Sequence, residues 1–419
     1  MSNLLRLIAV LASLLTASQN VSANPVVVFD SAQGKVIVAS DAGKPWYPAS
    51  LTKIMTAYVV FQAIEKGKIK PDTMGTVTKT SSAPPPSKIG FKPGKKVSVD
   101  FALKALMVYS ANDMAALLAE TISGSQAAFA VEMNAVARSL GMTGTHFVNP
   151  HGLHDARQVT TARDIAILAN ALMSRYPQSR NYYSAPFVVA GKKKLRNRNY
   201  LLKIWDKADG MKTGFICPSG FNLVATASVN GRSMVAVLFG TRSGKARAWK
   251  AKVLLENAAL YAGSTSLAGI SNEAGSPTNM RQKVCGGTGL EMVNTNEFSG
   301  WGVTFGKYES PAEAEAVING IKIIKANGLA QAGSGVTRIP FTKDFVPVSY
   351  RMTQGASQSL CQEVRNAGGS CEVVTPAVFA SFANLAGREK ANSGNPGSAA
   401  ANVKPAEVKP KERVPASSK

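Results

Sequence analysis

Acidic residues are scarce. The chain has 419 residues, with 25 Asp and Glu against 48 Lys and Arg and a net charge of +23. The imbalance comes more from few acids than from many bases. On charge alone nucleic acid is one partner it admits, but no nucleic-acid module accompanies it and none is expected to bind. Histidine is scarcer still, with only His146, His151 and His154. That argues against a serine–histidine–aspartate triad. His151 and His154 are close enough in sequence to suggest a metal site. No acidic or cysteine cluster lies near them, so no metal or other cofactor is expected. Cysteine is limited to Cys217, Cys285, Cys361 and Cys371. Beyond the first 23 residues no apolar run reaches the roughly 20 residues a bilayer span needs. No integral membrane span is therefore expected there.

Those first residues read as a secretory signal peptide. Arg6 supplies a weak positive start, "LIAVLASLLTA" is the apolar stretch, and Val21-Ser22-Ala23 ends in a small-x-small cleavage pattern. Cleavage is expected after Ala23. The alternative is an uncleaved anchor, for which the apolar stretch is short. No cysteine stands at the cleavage point, which argues against a lipoprotein. The mature protein is expected to be soluble and exported, and an anionic envelope polymer suits it better than nucleic acid. Export permits disulfides. Four cysteines allow three pairings. Cys361–Cys371 with Cys217–Cys285 is the expected one, and free buried thiols are the alternative.

The remainder divides into a unit at 24–263, a Gly-, Ser- and Asn-rich linker at 264–297, a second unit at 298–377, and a tail at 378–419. The tail is rich in Pro, Lys and Ala and is expected to be disordered. It also lacks the pattern of an amphipathic anchor. In the first unit, residues 26–30 and 35–39 flank "SAQG" as a hairpin. "PASLTKIMTAYVVFQAIEKG", residues 48–67, follows as a helix that is apolar almost all round and belongs inside a domain. Residues 71–98 read as irregular loop. Helices are expected at about 99–108, 112–122, 125–140, 161–175 and 245–261. A short strand is expected at 187–190 and longer ones at 211–216, 221–229 and 232–240, the last two joined by Asn230-Gly231. Strands at both ends with a block of helices between them predict an α+β fold around one antiparallel sheet. The second unit reads as βαββαβ, from "GWGVTFG" through "PAEAEAVINGIKIIKANG", "VTRIPFT", "FVPVSYRM" and "ASQSLCQEVRNAGG" to "SCEVV".

The apolar helix carries a lysine, Lys53, three residues after Ser50. Residues three apart share a helix face. Burial lowers a lysine pKa, and a neutral lysine can accept the proton of a serine hydroxyl, which is a poor nucleophile without a base. "SLTK" alone is better read as a capping serine with a snorkelling lysine. Two further segments change that balance. "YSANDMAALLAE" sets Ser110 and Asn112 at a junction of helices, and "DGMKTGFICPSGFNLVATA" sets Lys212, Thr213 and Gly214 at the start of a strand. Serine-x-x-lysine, a serine-x-asparagine element and lysine-threonine-glycine together form an acyl-serine set.

With those three motifs in order, the chain resembles the penicillin-binding-protein D-alanyl-D-alanine carboxypeptidases over about residues 25–262. "VNPHGLHDARQVTTARDIAILANAL" is similar to that family's segment bordering the active site. "NRNYLL" resembles its substrate-side loop and "TRSGKARAWKAKVLLENA" its closing helix. The resemblance implies a β-lactamase/transpeptidase-like domain, peptidoglycan pentapeptide as substrate, a covalent acyl-serine intermediate and β-lactams as inhibitors. It implies Ser50 as nucleophile, Lys53 as proton acceptor and Ser110 as a shuttle toward the leaving D-alanine. Asn112 would hold a substrate amide. Lys212 and Thr213 would meet the terminal carboxylate, with Arg198 as a second contact. Gly214 would let peptide lie along the strand edge. The backbone N–H groups of Ser50 and Phe215 would form the oxyanion hole. Many relatives have histidine where this chain has Phe215.

The second unit resembles a SPOR domain, a peptidoglycan-binding module, which implies glycan strands as a further partner. That differs from carboxypeptidases with a β-rich stalk and a membrane-binding helix. The whole implies a periplasmic, wall-associated enzyme. A D,D-endopeptidase is one alternative. A class A β-lactamase is another, but the segment after Asn149 offers Asp155 and Asp164 and no glutamate to activate water. A non-catalytic wall-binding protein is the alternative of a different class.

Overall fold

The computed structural model describes residues 24–285, 295, 298–324, 332–339, 342, 344–366 and 368–393. The expected signal peptide at 1–23, most of 286–297 and the tail from 394 lie outside the described residues.

Val26–Asp30 (β1), Lys35–Ser40 (β2), Ala208–Ile216 (β3), Gly220–Val229 (β4), Arg232–Thr241 (β5) and Thr265–Ser266 (β6) make one sheet in the order β6–β2–β1–β5–β4–β3. Every pairing in it is antiparallel. β1 is VVVFD, buried at each position. Successive side chains of a strand point to opposite faces, and here each face has its own core. Val27 and Phe29 enter one, Val26 and Val28 the other. A strand covered on both sides needs no polar alternation, which is why β1 appears in the sequence as an unbroken apolar run.

The larger core is filled by Thr52–Glu65 (α1), Val99–Val108 (α2), Asn112–Ser123 (α3), Gln126–Ser139 (α4) and Ala162–Arg175 (α5). Side-chain oxygens of Ser98, Ser125 and Thr161 accept N–H bonds at the starts of α2, α4 and α5, satisfying donors the helix leaves open. α1 is shorter than the sequence suggested, because Ala49–Leu51 is a 3-10 turn and the α-helix begins at Thr52. Gly244–Ala258 (α6) covers the opposite face of the sheet with Ala248, Ala251, Leu254 and Leu255.

Three stretches differ from expectation. The irregular loop at 71–98 contains a two-stranded pair, Met74–Thr76 with Lys96–Ser98, and a short helix, Lys79–Ser82. The basic run after Phe187–Ala190 is itself a strand, Lys193–Arg196, which closes a hairpin. The expected linker is tied down over much of its length. β6 pairs with β2, Leu267 and Met280 are buried, and the Asn272 amide donates to Thr143 Oγ1 and Asp164 Oδ1. A few apolar and amide anchors outweigh a loop-like composition here. The segment ends in a short helix, Arg281–Cys285 (α7), and Cys217–Cys285 forms a disulfide, as does Cys361–Cys371.

The second unit is βαββαβ as read: Trp301–Thr304 (β7), Pro311–Ile324 (α8), Gly333–Arg338 (β8), Phe345–Met352 (β9), Gln354–Asn366 (α9) and Glu372–Val374 (β10). Its sheet runs β8–β9–β7–β10. α8 lies against α6, with Arg242 Nε 3.4 Å from Glu315 Oε1, Lys245 Nζ 3.7 Å from Glu313 Oε1, and Trp249 edge-on to Tyr308. One expectation is corrected. Residues 378–393, taken as the start of a disordered tail, belong to a helix, Pro376–Ser393 (α10). Phe379 is the reason, since it is buried on the sheet against Phe298 and Tyr350. A single aromatic anchor is invisible to a composition count. Among the described residues no single helix is long and apolar enough to cross a membrane.

Candidate active site

The turn Ala49–Leu51 is held unusually close to its neighbours. Ala49 has φ +48°, a left-handed conformation that costs energy outside glycine. Gly152 and Gly214 press on it from two sides. A Cβ on Gly152 would collide with the Ala49 carbonyl, and one on Gly214 would sit 3.0 Å from Pro48 O and 3.2 Å from Ser50 N. Gly214 thus lacks a side chain where β3 meets the Ser50 turn, a packing reason beyond leaving room for peptide. The Asn222 amide fixes the same turn by donating to Tyr47 O and Pro48 O.

Lys53 is fully buried one turn into the structure that follows. Its Nζ lies 3.0 Å from Ser50 Oγ, 2.7 Å from Asn112 Oδ1 and 2.5 Å from the His151 carbonyl. Burial lowers its pKa to about 7, against a smaller opposing effect of Asp113. The partners then dictate a direction. A neutral amine has two N–H donors and one lone pair. Asn112 Oδ1 and His151 O are carbonyl oxygens that only accept, and they take both donors. The Asn112 amide cannot flip freely, because its Nδ2 donates to Pro85 O at 2.8 Å. The lone pair is left facing the Ser50 hydroxyl.

Ser110 sits between α2 and α3 with φ +65°, again left-handed. Its Oγ accepts from Lys212 Nζ at 2.9 Å, and Lys212 also donates to Thr213 O at 2.9 Å. Burial, then the neighbouring charges of Lys53, Arg247 and Arg198, pushes the Lys212 pKa well below the usual lysine range. Phe215 is 42% exposed and stacks on Phe221 with ring centroids 4.1 Å apart. Arg198 lies over the Tyr109 ring. Ser50, Ser110, Asn112, Arg198, Thr213, Gly214 and Phe215 all line one cleft of about 620 Å³. Lys53 and Lys212 sit beneath it, bonded to its two serines. The cleft runs along β3, which is an edge strand of the sheet.

Two participants were not singled out from sequence. Arg247 on α6 is buried, and its guanidinium donates to Gly214 O at 3.1 Å and to Asn222 O at 3.3 Å. Burial lowers its pKa to about 10. The available signal was an arginine among the buried alanines 246, 248 and 251 of that helix. His151 entered the sequence reading only as half of a histidine pair. What it contributes is a backbone carbonyl, which no side-chain motif reveals, while burial and Lys53 hold its imidazole neutral with a pKa of about 3. No carboxylate is among the residues lining the cleft, whereas Arg198, Arg247 and Arg281 are. The arrangement offers a nucleophile, a base, a second hydroxyl held by an amine, and a cationic wall for an anionic group.

The first unit has known relatives. A family model described as D-alanyl-D-alanine carboxypeptidase matches residues 13–243. The D-alanyl-D-alanine carboxypeptidase DacC of Escherichia coli is 38% identical over 245 residues, 56% of this chain and 61% of that protein. The chain therefore spans less than two thirds of that curated relative. Penicillin binding protein 5 from Haemophilus influenzae superposes with a TM-score of 0.53 at 35% identity, over 57% of this chain and 72% of that one. Penicillin-binding protein D2 from Listeria monocytogenes, solved in a cefotaxime-bound form, gives 0.52 at 29% identity, over 59% of this chain and 100% of that one.

Proposed function

The chain belongs to the D-alanyl-D-alanine carboxypeptidase family, and from that premise we propose that it removes the terminal D-alanine of peptidoglycan pentapeptide through an acyl-Ser50 intermediate. The observation that carries this reading is the buried Lys53 amine, 3.0 Å from Ser50 Oγ and bonded otherwise to the carbonyl oxygens of Asn112 and His151. Substrate lies antiparallel along β3, with its terminal carboxylate at Lys212, Thr213 and the nearby arginines. The scissile carbonyl sits between the N–H groups of Ser50 and Phe215, donors typically worth about 2.7–4 kcal/mol each to such a barrier. Ser50 Oγ attacks the carbonyl carbon as its proton passes to Lys53 Nζ. The tetrahedral intermediate collapses, the C–N bond breaks, and the leaving nitrogen takes a proton by way of Ser110. Water then adds to the ester carbonyl, gives its proton to the same base, and frees the shortened peptide and Ser50. Asn112 holds the peptide amide and also fixes Lys53.

β-Lactams would acylate the same serine, as the cefotaxime complex of the Listeria relative suggests. The second unit, read as SPOR-like, would hold the enzyme to glycan strands in the periplasm. The βαββαβ order supports that assignment, and the sequence of residues 1–23 supports export. A fluorescent penicillin should label the protein, and Ser50→Ala should abolish labelling. Labelling that survives in this variant removes the nucleophile. Mass spectrometry should show D-alanine released from pentapeptide faster than a cross-linked dimer is cut, and the reverse order makes the protein an endopeptidase.

A further inference from the structure

Arg281 stands apart from the other cations of the cleft. It comes from the stretch that follows the catalytic sheet, and it lines the cleft beside Ile216, Cys217 and Pro218. Its backbone is nonetheless firmly placed. Met280, the preceding residue, is buried and donates its N–H to Pro218 O at 2.9 Å. Cys285, one helical turn later, is bonded to Cys217, the residue just past the end of β3. Positions four apart share a helix face, so the disulfide pins the face from which Arg281 projects. Its guanidinium has no hydrogen-bond or ion-pair partner among the described residues, and no carboxylate lines the cleft to neutralise it.

Position along the strand gives that cation a meaning. If the carboxyl end of a peptide is at Thr213 and its scissile carbonyl beside Phe215, the chain continues past Ile216 toward Cys217. At about 3.3 Å per strand residue, Cys217 lies roughly 13 Å beyond Thr213. With the carbonyl of the second residue beside Phe215, the third residue from the carboxyl end stands beside Ile216, one strand position before Cys217, and its side chain bridges that step toward Arg281. We propose that Arg281 forms a second anion subsite, which reads a side-chain carboxylate on the third residue from the substrate's carboxyl end. This rests on the carboxypeptidase reading of the cleft. It makes the enzyme selective for an acidic side chain at that position over the same residue with its side-chain carboxylate amidated.

The test uses two acetylated peptides, diaminopimelyl-D-alanyl-D-alanine with the side-chain carboxylate free or converted to the carboxamide. D-alanine release is measured for the full-length enzyme and for Arg281→Ala, Arg281→Lys and Arg281→Glu. The ratio of kcat/KM, free acid over amide, should be about tenfold in the native enzyme, the scale of one charge-assisted hydrogen-bonded pair. Arg281→Ala should bring the ratio near one, Arg281→Glu should push it below one, and Arg281→Lys should keep part of it, with the change carried by KM. A ratio that is the same in all four proteins overturns the subsite while leaving the carboxypeptidase reading intact. Failure of the native enzyme to release D-alanine from either peptide overturns both.

Discussion

Both units are built on antiparallel sheets, yet they differ in what they bury. The first unit encloses Lys53, Asp113, Arg163, Asp164, Lys212 and Arg247. In the second, the buried polar residues among those described are Thr337, Ser349 and Ser357, none of them charged. Burying a charge is costly unless it is paired or loses its proton. Arg163 and Asp164 pair with each other at 2.7 Å. Lys53 and Lys212 instead sit next to serines with lowered pKa values. Such perturbed groups gathered in a cleft are the physical mark of a reactive site. The second unit has no comparable group among its described residues. Lys250 is the instructive intermediate. It is buried on α6 near Glu315, with a pKa lowered to about 8, at the joint between the units and away from the cleft.

The contrast can be broken or sharpened by experiment. Lys53→Met should have the largest effect, lowering acylation by a fluorescent penicillin by about 10²–10⁴-fold, the range for loss of a general base. In the native protein the acylation rate should rise with pH through about 7, because below that value the amine is protonated and has no lone pair. A stopped-flow profile that is flat from pH 5 to 9 would remove Lys53 as the base. Disulfide removal should come next. Cys217 and Cys285 are 68 residues apart and Cys361 and Cys371 are 10 apart. Loop-closure entropy then predicts losses of about 4 and about 3 kcal/mol for the two serine pairs. Calorimetry should find two transitions, each lowered only by its own pair. A shift of both by either pair would mean that the units unfold together. Gly214→Ala should lower kcat/KM by about tenfold to a hundredfold with little change in Tm, since the new Cβ moves the Ser50 turn by a fraction of an ångström. Deleting residues 298–419 should change hydrolysis of soluble peptide least while weakening sedimentation with cell-wall sacculi. Undiminished sedimentation would take glycan binding away from the second unit.

Much of this molecule was legible beforehand. The helix at the centre of the first unit, the strand runs after residue 208 and the βαββαβ order of the second unit all follow from apolar periodicity, and that periodicity reports burial directly. The harder parts were those in which one or two anchors decide. Phe379 turns a low-complexity stretch into a helix docked on a sheet, and Leu267, Asn272 and Met280 fasten what composition describes as a linker. Arg247 was missed because its neighbours on α6 are ordinary alanines and its partners, Gly214 O and Asn222 O, are backbone atoms on other strands.

Local spacing by itself determined that a serine and a lysine share a helical turn, that a second serine precedes an asparagine by two, and that a lysine-threonine-glycine strand follows. Those relations are set by chain geometry over a few residues. Only the tertiary structure decided that Lys53 meets Asn112 and the carbonyl of His151, that Lys212 meets Ser110, and that Arg281 is pinned beside the end of β3. These contacts join segments from about 60 to 100 positions apart. Such distances are closed by packing two cores against one sheet, and no local pattern encodes which polar atoms that packing will bring face to face.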